Sequence, residues 1–219
     1  MTRLAVFDLD GTLVDSAPDL HAALDRLMAA RGLAPFDRAT VIAMIGDGAK
    51  VLVERALAAR GQPFDQAALD QFLADYGAAA AVETRPFAGI PEALDRLAAD
   101  GWRLAVCTNK PEAPARELLA ALGLAHRFAA LGGGDSFPTR KPDPAHLLAT
   151  IAAAGGLRDG AVMIGDHHND IRAARGAGIP GLFVSWGYGP PAMAEGAPII
   201  ARPEALPAEL GAALDRLRA

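Results

Sequence analysis

An α/β fold, with a parallel sheet flanked by helices and a small helical segment inserted after the first strand, follows from three observations on this 219-residue chain. From residue 102 onward, short apolar runs alternate with amphipathic helical stretches, the pattern of βαβ units. One more apolar run, Leu4-Ala5-Val6-Phe7, stands alone near the N-terminus and needs a place in the same sheet. Between the two lies a long stretch with helical spacing and no convincing strand.

Taken in order, residues 4–7 read as a buried parallel strand that ends in two acids and a Gly turn. Residues 19–30, 49–59 and 67–81 carry Leu, Val and Phe at helical spacing, with breaks at Gly32 to Pro35 and at Gly61 to Pro63. The insertion therefore spans 16–82 and returns near Arg85-Pro86, leaving 1–15 and 83–219 as the core. A helical layer beside the end of the first strand would make a lid. The core continues with a strand over 103–107, a helix over 112–122, a turn-rich stretch and a helix over 145–154. A strand over 161–164, a helix over 171–177, strands over 181–184 and 198–201 and a closing helix over 207–217 complete it.

Composition narrows the function. The chain is 52% apolar, enough for a sizeable core, and much of that fraction is helix-favouring Ala. A net charge of −5 with no dense Lys/Arg block argues against a nucleic-acid surface, so any phosphate binding must be local. Cys107 is the single cysteine, which excludes an internal disulfide and fits a reducing compartment; its apolar run makes it a core residue. No basic leader opens the chain, and no run approaches the roughly 18 apolar residues of a spanning helix. The expectation is a soluble cytoplasmic protein, free of membrane, either a monomer or a homodimer.

Asp8 and Asp10 carry the chemistry. They follow the first strand directly, where open α/β sheets bind ligands, and their spacing sends both carboxylates to one side while Leu9 points into packing. Two like charges side by side need a cation or a proton to compensate them. Three further stretches share this setting: Thr108-Asn109-Lys110 after a strand, Lys141 before a helix, and Gly165-Asp166 with Asp170 after another strand. Together they suit attack by a carboxylate on a phosphate dianion. Each unit-charge pair at 4 Å opposes that attack by roughly 4 kcal/mol at an effective dielectric near 20. Two pairs would slow the step by about six decades. A hard cation such as Mg2+, held by Asp8, Asp166 and a backbone carbonyl near Asp10, removes the repulsion. Lys141 adds a point charge for the phosphoryl oxygens, and Thr108 with neighbouring N–H groups donates hydrogen bonds.

The run Asp8-Leu9-Asp10-Gly11-Thr12-Leu13-Val14-Asp15-Ser16 resembles the first motif of the haloacid dehalogenase superfamily of hydrolases. Thr108, with Asn109 beside it, resembles the second motif, Lys141 within Lys-Pro-Asp-Pro the third, and Gly165-Asp166 with Asp170 the fourth. The resemblance implies a Rossmann-like core with a small helical cap, Asp8 as the nucleophile of a phospho-aspartyl intermediate, and Asp10 as the acid and then the base. It also implies Mg2+ at Asp8, Asp10 and Asp166, and Asp170 supporting the metal shell or Lys141. Asp10 further implies a phosphatase or phosphomutase, since dehalogenases, phosphonate-cleaving relatives and ion-pumping ATPases differ at that position. The substrate is then a small phosphorylated metabolite.

Weaker likenesses point to phosphoglycolate phosphatases: Gly46-Asp47-Gly48 with Lys50 in the cap, residues 131–135, and residues 185–189. Gly46 and Gly48 at a helix start would offer backbone N–H groups to an anion, and Lys50 a charge for a substrate carboxylate. The plain alternative is a helix-to-helix turn with a solvated lysine. A sugar-phosphate phosphatase, a pyrophosphatase or a sugar phosphomutase shares the same core and differs in the cap. A phospho-accepting signalling domain uses similar groups but lacks the insertion, and a non-catalytic descendant would have lost one of them. His167-His168 departs from the family pattern; imidazoles beside an Asp suit zinc or nickel, while the plain reading is loop residues that bind nothing.

Overall fold

The computed structural model describes residues 2–218. Strands β1 (Arg3–Phe7), β4 (Trp102–Cys107), β5 (Ala130–Gly132), β6 (Ala161–Gly165), β7 (Gly181–Val184) and β8 (Ile199–Ile200) form one parallel sheet, ordered β5-β4-β1-β6-β7-β8. The isolated N-terminal run thus takes a central position. Its residues are completely buried because helices cover both faces. Ala5 and Phe7 point to the face covered by α5 (Ile90–Ala99), α6 (Glu112–Ala121) and α9 (Leu206–Arg218). Leu4 and Val6 point to the face covered by α7 (Pro144–Ala153) and α8 (His168–Ala177). Leu9 continues the alternation and packs with Phe7.

The insertion leaves through β2 (Val14–Asp15) and returns through β3 (Arg85–Pro86), an antiparallel pair with Val14 opposite Pro86 and Asp15 opposite Arg85. It holds α1 (Ala17–Ala30), α2 (Arg38–Ile42), α3 (Ala49–Ala58) and α4 (Gln66–Gly77), which bury their own apolar cluster around Leu24, Val53 and Phe72. Buried Asp19 on α1 accepts from Glu83 N, Thr84 N and Thr84 Oγ1 at 2.7–3.1 Å, tying the outgoing chain to the returning one.

Several elements depart from the expected ones. Helix α5 lies outside the expected elements, although Pro91 and Glu92 in its first turn are ordinary start signals. Strand β5 is only three residues long and lies in what reads as a turn-rich stretch. Short α2 and the β2/β3 ribbon are too brief to show periodicity. Helix α8 begins at His168, three residues before the expected start, because His167 accepts from Asn169 N while Asp170 accepts from His167 N, a capping box built on unusual residues. Among the described residues, no helix is long and apolar enough to cross a membrane.

Candidate active site

Parallel pairing sets the site at the carboxyl ends of β1, β4 and β6. Asp8 N donates to Ile164 O and Thr108 N to Gly132 O, so the ladder continues one residue past each strand and fixes both side chains. Asp8 Oδ1 accepts from Leu9 N at 2.7 Å and from Lys141 Nζ at 3.0 Å. Lys141 Nζ also lies 2.5 Å from Asp170 Oδ1. Asp166 Oδ1 accepts from Thr12 Oγ1 at 2.9 Å, and Oδ2 from Tyr188 N at 2.7 Å and Gly189 N at 3.4 Å.

Asp8, Asp166 and Asp170 each offer an oxygen within 4.8 Å of the others, and all three are buried. Asp8 and Asp170 share the Lys141 ammonium, while among the described residues Asp166 is held by neutral donors alone. Burial and the Asp8 charge push Asp166 up to about 7. Burial also pushes Asp170 upward, against the pull of Lys141. Burial opposes the charge on Lys141, but Asp170 and Asp8 outweigh it and hold the ammonium above its ordinary value. A surplus of buried negative charge on hard oxygen donors is what a divalent cation neutralises.

Asp10 stands apart from that cluster while lining the same cleft as Asp8. Its Oδ1 accepts from Ser16 Oγ at 2.6 Å, and Lys110 Nζ reaches both its oxygens at 3.1–3.2 Å. The two acids therefore share one substrate cleft rather than one carboxylate cluster. Thr108 lines the cleft, and its Oγ1 accepts from Lys110 N. Asn109 Nδ2 donates to Gly46 O and Lys141 O, so its amide nitrogen binds protein carbonyls, while its buried Oδ1 has no partner among the described residues.

Gly46 and Gly48 bring the insertion against the sheet. At φ 121° and 88° both occupy backbone conformations that favour glycine. A Cβ at Gly46 would lie 2.7 Å from the His167 ring, and one at Gly48 2.8 Å from Asn109 O. Both line the cleft, with Gly48 at the N-terminus of α3. Lys50 is not brought to the site: its side chain is 54% exposed, lies 3.7 Å from Glu54 and sits over the Phe64 ring. It is a solvated lysine at the second position of α3, outside the cleft lining.

His167 and His168 approach Asp47 of the insertion, but Asp47 is occupied by Asn169 Nδ2 at 2.7 Å and Arg55 at 2.5 Å. His167 serves as a helix cap, and burial with the neighbouring His168 lowers it to about 4. His146 is completely buried in packing, His21 bonds Phe36 O, His126 is exposed, and Trp102 is buried at a strand start. Arg116 pairs with Glu112, and Arg172 and Arg175 with Glu195, all on exposed helix faces.

Four residues without an assigned role in the sequence prove central. Lys110 and Thr12 lie in the loops that leave β4 and β1, three and five residues past the strand ends, a position that marks them. Tyr76 on α4 reaches Lys110 at 2.8 Å, and Tyr188 accepts from Ser16 N and Ala17 N through its hydroxyl and donates it to Asp15. The Tyr188 loop passes so close that a Cβ on Gly187 would lie 2.3 Å from Gly11 O.

Comparison with known proteins agrees with this geometry. Residues 2–178 match the model of the haloacid dehalogenase-like hydrolases. A phosphoglycolate phosphatase of Agrobacterium fabrum is 46% identical over 192 residues, 86% of this chain and 82% of its own. One of Rhodospirillum rubrum is 45% identical over 196 residues, 86% and 81% of the two chains. The crystal structure of a predicted phosphoglycolate phosphatase from Haemophilus somnus superposes with a TM-score of 0.87 at 31% identity, covering 95% of this chain and 97% of that one. The family match spans β1 with Asp8 at its end, Lys141 and the acidic cluster, and the chain belongs to the haloacid dehalogenase-like hydrolase family.

Proposed function

We propose that this chain is a Mg2+-dependent phosphatase that hydrolyses a small phosphate monoester through a phospho-aspartyl intermediate, with 2-phosphoglycolate as its substrate. The supporting observation is the convergence of Asp8, Lys141, Asp166 and Asp170 under a cleft that Asp10 and the inserted helices close. Residues 16–82 act as the cap of the core formed by 1–15 and 83–219. The substrate class comes from the phosphoglycolate phosphatases that this chain resembles.

Asp8 Oδ2 has no partner among the described residues and attacks the phosphorus. As that bond forms, the bond to the ester oxygen breaks and Asp10 gives this oxygen its proton. Asp10, now a carboxylate, takes a proton from water, whose oxygen attacks the phosphorus and frees Asp8 and inorganic phosphate. Lys141 and the Thr108 hydroxyl meet the phosphoryl oxygens; Asn109 positions Lys141 and the Gly46 turn. Asp8, Asp166 and the carbonyl near Asp10 would hold the cation, Asp170 steadying Lys141 beside them, and the bound cation supplies positive charge to the transferring group.

Phosphate release from 2-phosphoglycolate, sugar phosphates, pyrophosphate and an aryl phosphate, with EDTA as control, tests this. A strong EDTA-sensitive preference for 2-phosphoglycolate is expected. Preference for another panel member would overturn the substrate and keep the chemistry; no release from any would overturn both.

The cation has a second readout. Folded Asp166 titrates near 7 and an unfolded Asp near 3.9, so between those values the folded chain holds a proton that the unfolded chain has lost. Stability of the metal-free protein therefore falls as pH rises from about 4 to 7, by up to about 4 kcal/mol from this group. Added Mg2+ should raise Tm clearly at pH 7.5 and little at pH 5. Equal stabilisation at both values would contradict a cation seated on Asp166.

A further inference from the structure

We propose that the Lys110 ammonium and the Tyr76 hydroxyl form the recognition site for a carboxylate adjacent to the ester oxygen, which makes 2-phosphoryloxy carboxylates the substrate class. This rests on the phosphatase reading above and names what selects its substrate.

Lys110 is the only cationic side chain among those lining the cleft that holds Asp8 and Asp10. On the side of the inserted helices the wall is largely apolar, with Leu20, Leu52, Phe72 and Leu73. A lysine that is 6% exposed must have a strong reason to be there, since burying an ammonium is costly unless it is paired. Asp10 supplies the pairing, at 3.1–3.2 Å. As the proposed acid, Asp10 is protonated in the bound complex until it gives its proton to the leaving oxygen, and while protonated it does not balance Lys110. A substrate carboxylate on Lys110 supplies the balance for that interval.

The contact chain sets where that carboxylate lies. Asp10 has to touch the ester oxygen to protonate it, and Lys110 touches Asp10. The anion that meets Lys110 is therefore within a few bonds of the ester oxygen, as the carboxylate of 2-phosphoglycolate is. Sugar phosphates bring only hydroxyl groups to that distance. Tyr76 completes the site from the other side. Its hydroxyl accepts from Lys110 Nζ at 2.8 Å, and among the described residues no acceptor takes its own hydrogen, which is free to meet the second carboxylate oxygen. Burial raises Tyr76 above its ordinary value, so it stays a donor. Since Lys110 follows β4 and Tyr76 sits on α4, a carboxylate held by both would bridge the core and the inserted helices.

The test compares kcat/KM for 2-phosphoglycolate with that for ethyl phosphate, which replaces the carboxylate by a methyl group, in the wild type, Lys110→Met, Tyr76→Phe and Lys50→Ala, with Tm measured for each. The wild type should prefer 2-phosphoglycolate by at least about 100-fold, the scale of a buried charge-assisted contact. Lys110→Met should bring the preference below about tenfold. Tyr76→Phe keeps the ring stacked on Phe72 and should lower the preference by roughly five- to tenfold through KM, which serves even if Lys110→Met folds poorly. Lys50→Ala should change nothing. An unchanged preference in Lys110→Met and Tyr76→Phe, or equal losses on both substrates, would overturn the proposal while leaving the phosphatase reading intact. Absence of phosphate release by the wild type would instead overturn that reading and this one with it.

Discussion

Asp8→Asn is expected to lower kcat for phosphate release by at least about 10⁴-fold, the scale seen when a covalent nucleophile is removed. An amide oxygen can still accept the Leu9 N–H that holds Asp8 Oδ1 at 2.7 Å, so the strand end need not move. What disappears is the charged atom that forms the bond to phosphorus. The fold should tolerate the change, because it removes one charge from a cluster of three buried carboxylates and leaves Lys141 paired with Asp170. Tm should hold or rise, and no phosphoryl group should become trapped on the protein by acid quench. Asp10→Asn should also abolish turnover of alkyl esters, with a smaller loss on an aryl phosphate whose leaving group needs no proton. Near wild-type turnover in either variant would sink the assignment.

Lys141→Met should do more damage to the fold than to any single step. Its side chain is 1% exposed and its ammonium bridges Asp8 at 3.0 Å and Asp170 at 2.5 Å. Removing it leaves buried carboxylates without their partner, a change that costs about 3–5 kcal/mol in comparable pairs. For a chain of this length that corresponds to a Tm drop of about 6–20 °C. Turnover should fall as well, since Asp8 loses orientation and the phosphoryl oxygens lose a charge. Added Mg2+ should recover part of the stability and little of the activity. A Tm within a degree or two of wild type would mean that the contacts of Lys141 with Asp8 and Asp170 contribute little to the stability of the fold.

The residues at strand ends were legible because periodicity alone locates them: an acid, threonine or Gly-Asp pair directly after an apolar run can only sit at the sheet's carboxyl edge. Asp8, Thr108 and Asp166 fall there, held by the ladder. Contacts between distant segments leave no such trace. Tyr76 reaches Lys110 across 34 positions and Tyr188 reaches Ser16 across 172, and neither spacing carries a local signature. Lys50 misled for the opposite reason. Its nearness in sequence to Gly46 and Gly48 suggested a shared role, but the helix directs it away from the cleft from its second position and out to Glu54. Those glycines are needed first by crowding against His167 and Asn109, which no reading of a single chain could separate from anion binding. Strand β5 and helix α2 were missed through brevity, and α8 started early because a His and an Asp cap it in place of the usual Ser or Thr and Glu.

The narrow ribbon joining β2 to β3 has a consequence beyond the geometry of this one chain. Where Val14 faces Pro86 and Asp15 faces Arg85, the exit and return of the insertion are neighbours across a single strand pair, about 5 Å apart. Whatever lies between those two points can grow, shrink or be exchanged without changing the length of any connection in the sheet. Such a junction is a graft point. Ancestral duplications could swap one helical module for another while Asp8, Lys141 and Asp166 stayed where they were, with the new module required only to set a side chain opposite Lys110. The reaction would then be inherited with the core, and the choice of molecule shared between Lys110 of the core and the module set opposite it.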